Sequence, residues 1–359
     1  MMQDRSLKIK VIEYFVRRGW YPHMEVNVLS QTQISSAPKL VTDIDALGLA
    51  PDVTGRFQTI LGDCKTLKGQ SGISRVLWMK GLIEYFGAQK GLILLIKNIE
   101  KDHQLTANAL DVQLFSESDF DFYSKATADY LSTLNSSLID GLHWDSFMEI
   151  DKRFPRLRSL VEYARTQFWN DRISNNQVRS GLSTLRELKG ELDPANKLHL
   201  SIVLHHYSLL AISLNQIIAD LFTRFSLKTK EDLSSDLKVI IYGGIANYQY
   251  LNDLRRRFSG NTAIDKELSL PEWDLFVELI RLAFESPMSF NVLALYLKEL
   301  SFCFLSPEPN KYTFAKEISN KDKYTTTFAV KLSEYLNKAC GLPPEFHEIY
   351  SKIFVFGVI

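Results

Sequence analysis

Two apolar segments of this chain carry carboxylates in their interiors. "VTDIDALGLA" holds Asp43 and Asp45, and "TILGDCKTLKGQSG" holds Asp63, eighteen residues beyond Asp45, with Lys65 two positions later. Both stretches read as strands, and in a strand residues two apart share a face. Asp43 and Asp45 therefore point one way, and so do Asp63 and Lys65. If the strands are neighbours, Asp45 and Asp63 converge on one divalent cation. Hard carboxylate oxygens suit magnesium or manganese, which keep several waters and take one or two protein carboxylates beside phosphate oxygens. An ammonium next to them can hold an attacking water or offset the charge that builds on a phosphorane. The chemistry these residue types serve is phosphodiester hydrolysis. Glu13, on the Lys10, Glu13, Arg17 face of "KVIEYFVRRGW", offers a further carboxylate.

The elements that must position these groups follow from hydrophobic period. The spacing predicts a helix over 4–18, strands over 21–29, 40–48 and 57–65, a helix over 72–87, a strand over 91–99, a short helix and a last strand over 111–116. Near residue 120 the β-branched clusters thin out, and apolar residues recur at helical spacing to the end, as in "RLRSLVEYARTQFW", "PEWDLFVELIRLAF" and "FAVKLSEYLNKA". The expected organisation is an α/β domain over 1–118 followed by an all-α domain over 119–359 for recognition, assembly or regulation. Turn-rich breaks are expected at 227–236, 258–272 and 305–312.

Composition bounds the function. The 359 residues include 42 Lys plus Arg and 42 Asp plus Glu, so no global charge draws the chain to nucleic acid or to a membrane surface. A polyanion site must be a local patch. Three scattered cysteines, Cys64, Cys303 and Cys340, argue against a disulfide framework and a zinc site and fit a reducing, cytoplasmic setting. The N-terminal segment lacks an apolar run of the signal-peptide kind. The longest apolar run, "SIVLHHYSLLAISLNQIIADLF", contains two histidines, an asparagine, a glutamine and an aspartate and reads as a buried helix.

The order helix with Glu13, strand, strand with Asp45, strand with Asp63-Cys64-Lys65, helix, strand resembles the PD-(D/E)XK nuclease superfamily, over roughly residues 1–118. The resemblance implies a restriction-endonuclease-like fold, a mixed central sheet with flanking helices. It implies that Asp45 is the first metal aspartate, that Asp63 and Lys65 are the acidic residue and lysine of the (D/E)XK triplet, and that Glu13 is the helical acid. The metal ligands are then Asp45, Asp63 and Glu13, around Mg2+ or Mn2+. The literal proline before the first aspartate is absent, and Asp43 stays an alternative to Asp45, which lies deeper in its strand. On the following helix Gln70, Ser71, Ser74 and Arg75 are placed to touch substrate phosphate, since a helix N-terminus is a natural anion site.

The function implied is metal-dependent DNA endonuclease, of a kind similar to prokaryotic restriction or anti-phage components, with RNA as the other nucleic-acid substrate. The alternative is a non-catalytic nuclease-fold scaffold that binds nucleic acid or a partner protein. The apolar "FNVLALYLKELSFCFL" points either to a homo-oligomer or partner surface on the helical domain or to a buried core helix. The remaining conspicuous residues read mostly as structural: His199, His205 and His206 as core or interface, "RRRF" with Arg17 and Arg18 as solvated faces, with DNA-phosphate contact as the alternative, Gly243-Gly244 as a helix break or a point of close packing, and Cys64 as a small core residue facing away from its neighbours.

Overall fold

The computed structural model describes residues 4–30, 38–66, 71–128, 130–133, 135–224, 230–258, 267–306 and 312–357. Its first part runs α1 (Arg5–Arg17), β1 (Tyr21–Leu29), β2 (Leu40–Pro51), β3 (Phe57–Lys65), α2 (Gly72–Phe86), β4 (Lys90–Leu95), α3 (Lys101–Ala109), β5 (Val112–Ser116) and α4 (Glu117–Thr127). The strands form one mixed sheet in the order β1-β2-β3-β4-β5. β1, β2 and β3 are an antiparallel meander, while β4 and β5 each run parallel to the preceding strand through helical crossovers. β4 stops at Leu95, short of the expected 99, and Ile96 is exposed where the continuation would lie.

The two flanking helices lie on opposite faces. A Cβ at Gly48 would sit 3.0 Å from the Phe15 ring, so a bare backbone lets α1 press against β2. A Cβ at Gly91 would meet Met79 at 2.5 Å, placing α2 on the other face, since Gly91 pairs with Leu61 while Gly48 pairs with Ile60. Asp63, two residues past Leu61, shares the α2 face. α1 buries Leu7, Val11, Ile12 and Phe15 on its sheet side, and Lys8 is buried on that same side.

The helical part comprises α5 (Gly141–Met148), α6 (Ile150–Arg153), α7 (Arg158–Glu162), α8 (Phe168–Asn170), α9 (Ser174–Leu188), α10 (Lys197–Arg224), α11 (Lys230–Ile241), α12 (Ile245–Phe258), α13 (Trp273–Ala283), α14 (Ser289–Cys303), α15 (Thr313–Asn320), α16 (Thr325–Cys340) and α17 (Pro344–Phe356). Among the described residues every strand lies between Tyr21 and Ser116. The expected helix over 156–169 is broken by a π-helical turn at Tyr163–Gln167. Of the expected breaks, 227–236 is largely helical, because α11 starts at Lys230, while parts of the other two lie outside the described residues. Gly243 and Gly244, at φ +82° and +104°, do separate α11 from α12.

The hydrophobic core runs continuously through both parts. α4 belongs to the sheet layer: Lys10 pairs with its Glu117 and Asp121 at 2.8 Å each, and Tyr14 packs edge-on against Phe120. The edge strand β1 is covered by the segment after α7. Asn170 accepts from Leu29 N at 2.8 Å and donates to Asn27 O at 2.7 Å, which occupies backbone groups that an open edge would expose. α10 is long and apolar enough to cross a membrane by composition, yet it is buried within the protein. α14, the "FNVLALYLKELSFCFL" helix, is buried along nearly its whole length, so its apolar surface is spent inside the fold.

At the centre of the junction lies Lys298 of α14, fully buried. Its Nζ is 2.9 Å from His23 Nδ1 of β1 and 3.3 Å from His205 Nδ1 of α10, and the rings of Tyr21, Trp144, Phe147 and Phe302 surround it at 4.7 to 5.6 Å. The next residue, Glu299, is also buried and accepts from Ser136 Oγ at 2.8 Å and Ser137 N at 2.7 Å. His205 and His206 are core residues, and His206 Nε2 lies 3.0 Å from Gly181 O.

Candidate active site

The β2–β3 ladder ends at Ala46 and Gly62, and one step further in the same register stand Asp45 and Asp63. Both are only 3% exposed. Asp45 Oδ2 accepts from Cys64 N at 2.8 Å and from Lys65 Nζ at 3.0 Å. Lys65 Nζ also lies 3.6 Å from Asp63 Oδ1, so one ammonium spans both carboxylates. The three residues that the sequence singles out as Asp45 and the D-x-K triplet thus meet at one end of the sheet. Cys64, between them, points into the core as its position requires.

Other members of the centre were not foreseen. Lys8 Nζ lies 2.8 Å from Asp45 Oδ1 and pairs closely with Glu25 Oε1. It arrives from the α1 side where β2 and β3 have ceased to pair. Glu25 stands on β1 at the register position facing Asp45, with φ +57°, a left-handed conformation that a non-glycine residue adopts at a cost. Its carboxylate, with those of exposed Asp43 and buried Asp45, contributes oxygens that all lie within 4.8 Å of one another. The signals in the sequence were a lysine on the apolar side of α1 and a polar residue on β1 in alternation with His23.

Glu13 lies elsewhere. It is five positions beyond Lys8, about 140° around the helix, and its Oε1 accepts from Thr133 Oγ1 at 3.0 Å. α1 therefore presents a cation to Asp45 where the sequence reading expected an acid. Arg75 belongs to the centre as a partner of Asp63. Its Nε donates to Asp63 Oδ2 at 2.9 Å, a second nitrogen pairs closely with Oδ1, and the guanidinium rests 4.2 Å from the Trp78 ring centre. This bidentate fork, expected to face phosphate, is committed to the carboxylate. Ser71 and Ser74 are exposed at the start of α2, with no side-chain cap from Ser71, and Gln70 lies outside the described residues.

The electrostatics separate the two aspartates. Burial alone raises a carboxyl, but Lys8, Lys65 and the Cys64 N–H outweigh it and hold Asp45 below its ordinary value. For Asp63 burial wins over Arg75 and Lys65, with the Asp45 charge adding to it, and its carboxyl is pushed up. Lys8 is driven upward despite burial, because Asp45 and Glu25 stabilise its charge. The centre is a compact network of four carboxylates, Glu25, Asp43, Asp45 and Asp63, and three cations, Lys8, Lys65 and Arg75.

The donor set suits a magnesium-type ion in part. Glu25, Asp43 and Asp45 supply only hard oxygens within reach of a single ion, which fits. Asp63 fits less directly, since Arg75 occupies both of its oxygens, and Glu13 faces away. Elsewhere in the molecule, Arg18 stacks 4.7 Å from the Trp20 ring centre and donates to Thr127 O at 2.8 Å, a structural use of one of the basic residues of α1. Compared with known proteins, the chain matches no family model, no curated protein and no solved structure.

Proposed function

We propose that the Asp45, Asp63, Lys65 centre hydrolyses phosphodiester bonds in nucleic acid, as a divalent-metal-dependent endonuclease acting on DNA. The observation that carries this reading is the position of Lys65 Nζ, 3.0 Å from Asp45 and 3.6 Å from Asp63, three residues brought from two strands to the end of a mixed sheet. The order α1-β1-β2-β3-α2-β4, with the meander first and the parallel strand after the helix, supports a nuclease-type arrangement of the PD-(D/E)XK kind. Asp45 with Glu25 and Asp43 would hold a divalent cation, which would supply Lewis-acid polarisation of a phosphate oxygen and a more acidic water. Asp45 fixes the position of that charge through its buried carboxylate. Lys65, a quarter exposed and so open to substrate, orients the attacking water and offsets developing negative charge. Arg75 holds Asp63 beside Lys65, and Asp63 in turn keeps the ammonium pointed at the reacting side.

A second reading has its own observation. Lys8 and Arg75 neutralise Asp45 and Asp63 internally, as in a fold retained as a scaffold for binding nucleic acid or a partner protein. Incubating purified protein with supercoiled, linear and single-stranded DNA, and with RNA, in Mg2+, Mn2+ or EDTA separates the two. Metal-dependent cleavage that Asp63→Ala abolishes supports the enzyme. Absence of cleavage on every substrate, with nucleic-acid binding that survives Asp63→Ala, supports the scaffold.

A further inference from the structure

We infer that the Lys8 ammonium is the resident cation of this centre, seated among the carboxylates that take the metal, so that a metal ion enters only as Lys8 withdraws; the inference rests on the metal reading above. Lys8 is 4% exposed and lies against Asp45 Oδ1 at 2.8 Å and against Glu25. These are two of the three carboxylates whose oxygens gather within 4.8 Å. The third, Asp43, is exposed and has no ion pair among the described residues, leaving it as the first contact for an arriving ion. Lys65 is an unsuitable candidate for the same role because it lies on the open side, between Asp45 and Asp63. Lys8 instead closes the centre from the α1 side.

Charge balance leads to the same place. With Lys8 in, four carboxylates face three cations and one negative charge is uncompensated. With Lys8 out, two negative charges are uncompensated, which matches one divalent ion. An ammonium at contact distance from the ligands opposes an incoming cation strongly in a partly desolvated site, and it competes for the same lone pairs. A lysine stem is long and flexible, and its three rotatable donors can find other partners when displaced. The centre therefore has a metal-free state in which it is electrostatically closed, and its metal affinity is set by how readily α1 gives up one side chain.

The test is calorimetric titration of Mn2+ into full-length wild type, Lys8→Met, Lys8→Gln and Lys8→Arg, each checked for folding by circular dichroism. Lys8→Met or Lys8→Gln should bind Mn2+ on the order of tenfold or more tightly than wild type, as expected for loss of one contact charge, and adding Asp45→Asn should erase the gain. Lys8→Arg should show no gain. A second readout needs no variant: in wild type, Lys8 should be poorly labelled by an amine-reactive reagent without metal and labelled several-fold faster in saturating Mn2+, read by peptide mass spectrometry. Wild type that binds Mn2+ as tightly as the neutral variants, with Lys8 labelling unchanged, overturns the inference while leaving the metal reading intact. If neither wild type nor a folded Lys8→Gln binds Mn2+, both fall.

Discussion

Replacing Lys298 by methionine should change how the stability of this protein depends on pH, and the structure sets the sign. Lys298 is fully buried, and its neighbours are two histidines and four aromatic rings. The nearest carboxylate on its own helix, Glu299, is turned toward Ser136 and Ser137. Burial pushes the Lys298 amine well below its ordinary value of 10.5. The unfolded chain therefore takes up a proton just below pH 10.5 that the folded chain does not. The contribution of this amine is highest above 10.5 and is lost as pH falls, by about 1.4 kcal/mol per pH unit, until the folded amine itself protonates. Burial likewise lowers His23 and His205, but unfolded histidine titrates near 6.5 and contributes below neutrality. The buried thiols of Cys64 and Cys303 are pushed up and matter only nearer their ordinary value of 9.0. Between pH 7.0 and 8.5 the difference between wild type and Lys298→Met isolates one amine, and it should grow in favour of wild type as pH rises. Methionine keeps the length and fills the aromatic pocket with apolar volume. The assay is urea unfolding of both proteins at pH 7.0, 7.5, 8.0 and 8.5, with wild type gaining on the variant as pH rises. Parallel pH profiles would refute the argument and show that Lys298 is charged in the folded state, held by the rings as a cation.

Three further outcomes are expected. In a DNA cleavage assay beside metal titration, Asp63→Ala should remove activity, while Lys65→Ala should keep metal binding and lose on the order of 10²–10³ in rate, as for a group that acts on developing charge; a Lys65→Ala protein that cuts like wild type would exclude the assigned role. His206 is fully buried with its pKa lowered to about 4 by burial, so its share of stability is present above pH 6.5 and lost as pH falls toward 4, by about 3 kcal/mol; His206→Gln should flatten acid unfolding in that window, measured by circular dichroism. Glu299→Ala should destabilise by about 3 kcal/mol, because it strands the Ser136 hydroxyl and the Ser137 N–H that Glu299 accepts from; a thermal midpoint within a degree of wild type would contradict this.

The order and bounds of α1, β1, β3 and α2 were legible in the sequence because hydrophobic period is a local property: one residue's neighbours at two or at three and four positions decide which surface can be buried. The same locality placed Asp45 one strand from Asp63 and Lys65, since alternation fixes faces once strands pair. The histidines of α10 were legible as core for a similar reason, being embedded in a run too apolar to face water. What surrounds the aspartates was decided only in three dimensions. A carboxylate buried to 3% exposure must find cations wherever the fold supplies them. Asp45 found Lys8, because the helical period turns that residue, and not Glu13, toward the sheet. Asp63 found Arg75 one turn into α2 rather than leaving it for a ligand. Lys298 reads in the sequence as one polar residue in an apolar helix, and nothing local reveals that β1 and α10 will each bring a histidine to it. Periodicity along the chain determines which surfaces are buried, whereas the partner of a buried charge is chosen by distances between segments far apart in sequence, and those exist only after the layers have packed.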